Sequence, residues 1–229
     1  MMKKIFALLP MIAAFALTGC GDNEKESEEQ GTNLELSEDQ AKAKVRELAD
    51  TSGYEITFKY TSSDSESTEL DVVTIGQKDG FTWVLHDSSK TMWKVDDTSY
   101  TTYSYDDENS KFVVAQTYTK EYLASLGLED MNSLDVYGIY LYMGNMYDGL
   151  EGYHKVRDLT YVGRSATEYT LKETYASAYL EATVIIDKQT GVTLYWGVAG
   201  RSIDGDTGSA SYQVTAFKTG AQVSVPRHD

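Results

Sequence analysis

The chain has 229 residues, a formal net charge of −16, 18 tyrosines and a single cysteine. That length allows one sizeable domain with its own core, and the acidity excludes nucleic acid and anionic head groups as partners, because like charges repel. One cysteine excludes an internal disulfide and any cysteine-built metal site.

Lys3 and Lys4 open the chain, and residues 5–17 form an apolar run interrupted only by Pro10. At 13 residues the run suits the apolar core of an export signal and falls short of the ~20 that a membrane span needs. Leu17-Thr18-Gly19-Cys20 follows. Small residues fit a peptidase cleft, and the cysteine behind them offers a thiol for diacylglyceryl attachment. This order resembles the bacterial lipobox. It predicts a lipoprotein signal peptide over residues 1–19, lipidation of Cys20 and a mature chain anchored to the membrane by that lipid. The competing reading is an ordinary secretory signal with an incidental cysteine. Acyl chains on one residue anchor stably because each buried CH2 contributes roughly 0.8 kcal/mol. Without the two signal lysines the mature chain stands at −18.

Residues 21–33 contain no apolar side chain, so 20–33 read as the lipidated cysteine and an acidic, disordered tether. At about 3.3 Å per residue the tether reaches at most about 40 Å. Residues 34–229 read as a single domain. Ser37-Glu38-Asp39-Gln40 has the form of a capping box. Ala41, Val45, Leu48 and Ala49 follow at helical spacing, with Gly53 as a stop, so a helix is predicted over 38–51. The period then falls to two: Tyr54, Ile56, Phe58 and Tyr60 alternate with Glu55, Thr57 and Lys59. Strands are predicted over 54–60, 70–75, 81–85, 91–95 and 100–105, with a short one at 112–114, separated by turn-forming polar residues. Helices are predicted over 120–126 and about 133–147. The last third returns to strands at 168–171, 179–187, 192–198 and 209–217. Lys188-Gln189-Thr190-Gly191 is a hairpin loop, and 200–208 a polar loop. The layout is α+β.

Three motifs stand in the last third: Tyr161-Val162-Gly163-Arg164, then Ile186-Asp187-Lys188-Gln189-Thr190-Gly191, then Tyr212-Gln213-Val214-Thr215-Ala216-Phe217. With the early Gly53–Tyr60 stretch they resemble LolA/LolB-like and related envelope lipoproteins. The resemblance implies a curved antiparallel sheet that forms a half-open barrel around one to three helices, with a concave face able to hold acyl chains.

Signals of catalysis are poor. His86, His154 and His228 are widely scattered, and neither a H-E-x-x-H, a G-x-S-x-G nor a phosphate-binding glycine loop occurs. No catalytic residue, metal ligand or cofactor is expected. Asp204-Gly205-Asp206-Thr207-Gly208 is either a calcium loop or a solvated hairpin; it departs from the EF-hand pattern at Gly208 and Thr215. The candidate ligand-binding residues are Trp83 and Trp93 on strands and Tyr140, Leu141, Met143 and Met146 on the central helix. They form either a soft lining for an apolar ligand or plain core packing. The expected protein is non-enzymatic and sits on the extracytoplasmic face of the cell membrane, on the outside of a single-membrane cell rather than in an outer membrane. Its expected partners are the membrane through Cys20 and a lipid or other hydrophobic ligand. The alternative is an envelope protein partner docked on a self-filled barrel.

Overall fold

The computed structural model describes residues 38–63, 68–127, 153–175, 178–202, 205 and 207–229. Helix α1 (Glu38–Thr51) leads into six strands: β1 (Tyr54–Ser63), β2 (Thr68–Lys78), β3 (Phe81–His86), β4 (Ser89–Val95), β5 (Ser99–Asp106) and β6 (Lys111–Thr119). Helix α2 (Lys120–Ser125) follows, and then β7 (His154–Tyr161), β8 (Arg164–Tyr175), β9 (Ala178–Asp187), β10 (Thr193–Ser202) and β11 (Thr207–Thr219). A 3-10 turn (Gly220–Gln222) ends the regular structure.

All eleven strands form one antiparallel sheet in the order β6-β5-β4-β3-β2-β1-β11-β10-β9-β8-β7. It is built from two meanders. One runs outward from β1 to β6, the other inward from β7 to β11, and the β1–β11 pair joins them. The tightest corners have the chemistry they need. Asp79 and Gly80 (φ 52° and 78°) turn β2 into β3, and Val162 and Gly163 (φ 44° and 79°) turn β7 into β8. Two consecutive positive φ values match the right-handed twist of the flanking strands. Register shifts in the β1–β11, β9–β10, β5–β6 and β7–β8 pairs add local twist and bend.

Residues directly opposed in an antiparallel pair share a face, so the register sorts the side chains. On one face Tyr54, Ile56 and Phe58 of β1 lie with Ile75, Val84, Val214 and Tyr212. Ala41 and Val45 of α1 are buried in the same cluster, with Leu48 and Ala49 packed beside them. Those are the four positions that helical spacing selects. Gly53 (φ 72°) stops the helix, its N–H bonding the carbonyl of Leu48 at 2.8 Å. Thr119 caps α2, its Oγ1 accepting from Tyr122 N–H at 3.2 Å.

The opposite face carries a second core of Trp83, Met92, Phe112 and Val223. Residues 223–229 cross it as a strap. Phe112 N–H donates to the carbonyl of Arg227 (2.8 Å), and Asp229 N–H donates to the carbonyl of Phe112 (3.1 Å). The Lys78 ammonium donates to the carbonyls of Gly220 (3.3 Å) and Val223 (2.8 Å). Lys111 pairs with Asp229, and the His228 ring lies 4.5 Å from that of Phe81. We call these the helix face and the strap face.

The strands run longer than their sequence signals. β6 extends from 111 to 119 instead of 112–114, and β10 and β11 enter the predicted 200–208 loop at Ser202 and Thr207. β7 has no counterpart in the sequence reading. It is an edge strand, exposed over its first five residues, and such a strand has no apolar alternation to read. The helix predicted over 133–147 lies outside the described residues.

Candidate ligand-binding face

One row of opposed residues crosses the helix face over five adjacent strands: Tyr60, Tyr212, Trp196, Val184 and Tyr169. Two residues along, a second row reads Ser62, Ala210, Val198, Ala182 and Leu171. A row dominated by rings therefore runs beside a row of smaller side chains; this low strip, which we call the trough, is buried at Ala182, Val198 and Ala210. Among the described residues, Tyr153, Leu171, Leu180 and Trp196 pack against Ala182, Val198 and Ala210.

The polar atoms here are few. Tyr212 is fully buried, its ring 4.7 Å from that of Phe58, and its hydroxyl has no hydrogen-bond partner. Burial pushes its pKa far above the ordinary tyrosine value. A buried hydroxyl without a partner costs on the order of 1–3 kcal/mol, so it is a ready donor for any acceptor that reaches it. Tyr153 is pushed up to about 12, first by burial and then by the charge of Glu173; a bond from Trp196 opposes the shift. The trough thus offers apolar surface with neutral hydroxyls.

The candidate residues separate. Trp83 stands opposite Met92, whereas Trp93 stands opposite Thr82. Thr82 and Trp83 are consecutive and point to opposite faces, so the two tryptophans do not line one surface. This corrects the expectation that grouped them. Trp83 belongs to the core beneath the strap, against Gly76, where a Cβ would lie 2.0 Å from its ring. Its indole Nε1 is buried without a partner. Trp93 packs against the helix-face core. Tyr140, Leu141, Met143, Met146 and Cys20 lie outside the described residues. Tyr153, Trp196 and Tyr212 were not among the ligand-binding candidates read from the sequence, where Tyr212 stood out only as the start of the closing motif.

The two motifs nearest the β9–β10 corner have a structural role. Arg164 donates to both oxygens of Asp187 (2.9 and 2.8 Å). Asp187 is buried and also accepts from Thr190 N–H (2.8 Å) and Thr190 Oγ1 (2.5 Å). The Arg164 guanidinium lies 4.3 Å from the centre of the Phe217 ring. The Tyr161–Arg164 turn and the Ile186–Gly191 hairpin are therefore clamped together by one carboxylate, and the Arg164 guanidinium carries the contact on to the closing strand at Phe217.

A Ser88–His86–Asp71 chain has the residue types of a hydrolytic relay: Ser88 Oγ to His86 Nδ1 is 2.7 Å, and His86 Nε2 to Asp71 Oδ1 is 3.1 Å. Ser88, however, is exposed in a tight turn, and its own N–H also donates to Nδ1 at 3.2 Å. That is a local cap on the turn. A cleft of about 310 Å³ at the end of α1 is lined by Asp50, Ser52, Lys78 and Asp79 among others; its one ammonium is already held by the strap carbonyls. Among the described residues no group of three or more histidines, cysteines or acids is placed to hold a metal ion. Asp204 and Asp206 of the calcium alternative lie outside them. No helix of the described residues is long and apolar enough to cross a membrane.

Fold and face together define an open eleven-stranded antiparallel sheet with one aromatic, helix-covered face and one strapped face. No protein-family model matches the chain, and no curated protein matches its sequence. Among solved structures it is similar to a putative outer membrane lipoprotein-sorting protein domain from Vibrio parahaemolyticus (10% identity, 80% of this chain and 92% of that one, TM-score 0.25). It is also similar to a LolA superfamily protein from Nitrosomonas europaea (9%, 80% and 93%, TM-score 0.23). A third is a DUF1329 family protein from Desulfovibrio piger (11%, 80% and 93%, TM-score 0.27). At such scores neither an activity nor a ligand passes from these proteins to this chain.

Proposed function

We propose that this is a non-enzymatic lipoprotein, anchored through Cys20 on the extracytoplasmic side of a membrane, that holds a lipid or other hydrophobic ligand on the helix face. The sheet would form a half-open barrel around its helices. The observation that carries the ligand is the trough between the Tyr60–Tyr212–Trp196 row and the Ser62–Ala210–Val198–Ala182 row. An acyl chain fits beside rings over small residues, and the unpartnered Tyr212 hydroxyl supplies a donor for an ester or acid carbonyl. Apolar pockets with a few placed polar groups are the common form of small-molecule sites. Trp93 on the same face extends the apolar surface; Trp83 does not. The tether over residues 21–33 would hold the domain off the bilayer.

Binding of a fluorescent fatty-acyl probe to the Cys20→Ser chain without residues 1–19 tests this. Saturable binding that unlabelled fatty acid displaces is expected, together with its loss in Ala182→Phe, which fills the small row. A folded protein that takes up no probe overturns the reading. One observation favours a second reading, an envelope scaffold with a self-filled barrel. Ala41 and Val45 of α1 share one buried cluster with Tyr54 and Ile56, both fully buried, so part of the helix face is filled by the chain itself. In that case crosslinking in intact cells captures one dominant protein partner, and no probe binds.

A further inference from the structure

The row of smaller side chains has a neighbour that carries charge. Two residues further along, Gly208, Gly200, Leu180 and Glu173 stand directly opposed across β11, β10, β9 and β8. A Cβ on Gly200 would meet only the carbonyl of Tyr179, at 3.4 Å, and one on Gly208 only that of Ser63, at 3.9 Å. Among the described residues no side chain therefore covers the two glycines, and this margin of the trough is open. Glu173, half-buried, is the charged member of the row. Its field reaches the trough: after burial, its charge is the second cause that raises the Tyr153 hydroxyl. The three rows hold no lysine, arginine or histidine. Lys172 and Arg201 adjoin them in sequence, but strand alternation sends both to the other face, where Lys172 pairs with Glu181 at 3.0 Å. Lys155 extends the first row opposite Tyr169, and pairs with Asp158 at 3.0 Å. Lys44 and Arg46 of α1 are exposed. Residues 128–152, outside the described ones, contain five acids and no basic residue.

Given a ligand on this face, as proposed above, we infer that the face sorts ligands by head-group charge: it takes acyl esters and alcohols with uncharged heads and discriminates against anionic ones, and Glu173 sets that preference. An anion that enters the open margin gives up water and meets no cation in the three rows, and burial of an uncompensated charge is costly. Beside a second carboxylate the cost grows, because like charges repel more strongly out of water. An ester or alcohol gives up less, and the hydroxyls of Tyr153 and Tyr212 offer it neutral partners.

Displacement of an uncharged fluorescent acyl ester from the Cys20→Ser chain without residues 1–19 tests this, with 1-decanoylglycerol and decanoate as competitors of equal acyl length near neutral pH. The glyceride is expected to displace the probe at a concentration at least about tenfold below that of decanoate. Part of that gap follows from the hydration of any anion, so the variants carry the decision. Glu173→Gln should narrow the gap about threefold or more, and Glu173→Lys should narrow it further, in both cases because decanoate binds more tightly. Equal displacement by the two competitors in the wild type, a gap that both variants leave unchanged, or a loss of both competitors together, as a merely structural role for Glu173 would give, overturns the selectivity while the bound probe upholds the ligand reading. A folded chain that binds no probe overturns the ligand reading and the selectivity with it.

Discussion

Asp187 collects four donors, from Arg164 and Thr190, in a site where its side chain is almost wholly buried. Its motif was legible as a hairpin, because Gly191 ends it; its clamp on a distant turn was not, because sequence does not place Arg164 beside it. Asp187→Asn keeps the shape but leaves the guanidinium without its charge partner. We predict a loss of about 3 kcal/mol in urea unfolding, with Thr190→Ala losing less. The trough tyrosines make a pH prediction. Tyr153 is neutral in the fold and held up to about 12 by burial. Its stabilising share is therefore complete below the ordinary value near 10, and is lost as pH rises toward 12. Ultraviolet titration should show, among the late phenolates, one near pH 12 that Tyr153→Phe removes while Tyr212 still resists ionisation, and alkaline unfolding of that variant should begin at higher pH. The tryptophans show where reading stops. Trp83 and Trp93 both fell on strands as expected, but their faces depend on which residues stand opposite, and a shift of one residue inverts every side chain.

Whole elements were readable where they are half buried and obscure where they are not. α1 and β1 announce themselves through spacing, because Ala41, Val45, Tyr54, Ile56 and Phe58 must all reach one core. β7 and the second half of β6 hide because they are edges with little to bury. Residues 223–229 were equally silent: only Val223 and Val225 are apolar there, and the strap is held mainly by backbone and charge. Deleting residues 223–229 should uncover Trp83, Met92 and Phe112. Loss of the Val223 side chain alone costs about 1.5–3 kcal/mol of burial. Denaturant unfolding should register at least that loss, with a red shift of tryptophan emission. On the facing strand, Gly76 accommodates the Trp83 ring. Gly76→Ala sets a methyl 2.0 Å from it, and overpacking of this kind costs about 1–3 kcal/mol, readable as a lowered Tm.

At the scale of the molecule, two meanders meet at β1 and β11 and place β1, the most regular strand signal in the sequence, at the centre of the sheet. The antiparallel character was legible from alternation and turns, and the long strands follow from a single proline, Pro226, beyond residue 10. What alternation cannot deliver is the order of strands. The β1–β11 pair that creates the trough joins residues 146 to 165 positions apart, such as Tyr60 and Tyr212. The helix face is the molecule's ligand face in this account, and native mass spectrometry of the Cys20→Ser chain without residues 1–19, supplied with membrane lipids, puts that to the most direct trial. A discrete added mass equal to one lipid is expected, lost when Ala182→Phe fills the small row. A clean protein mass at every lipid concentration, from protein that remains folded, would contradict it.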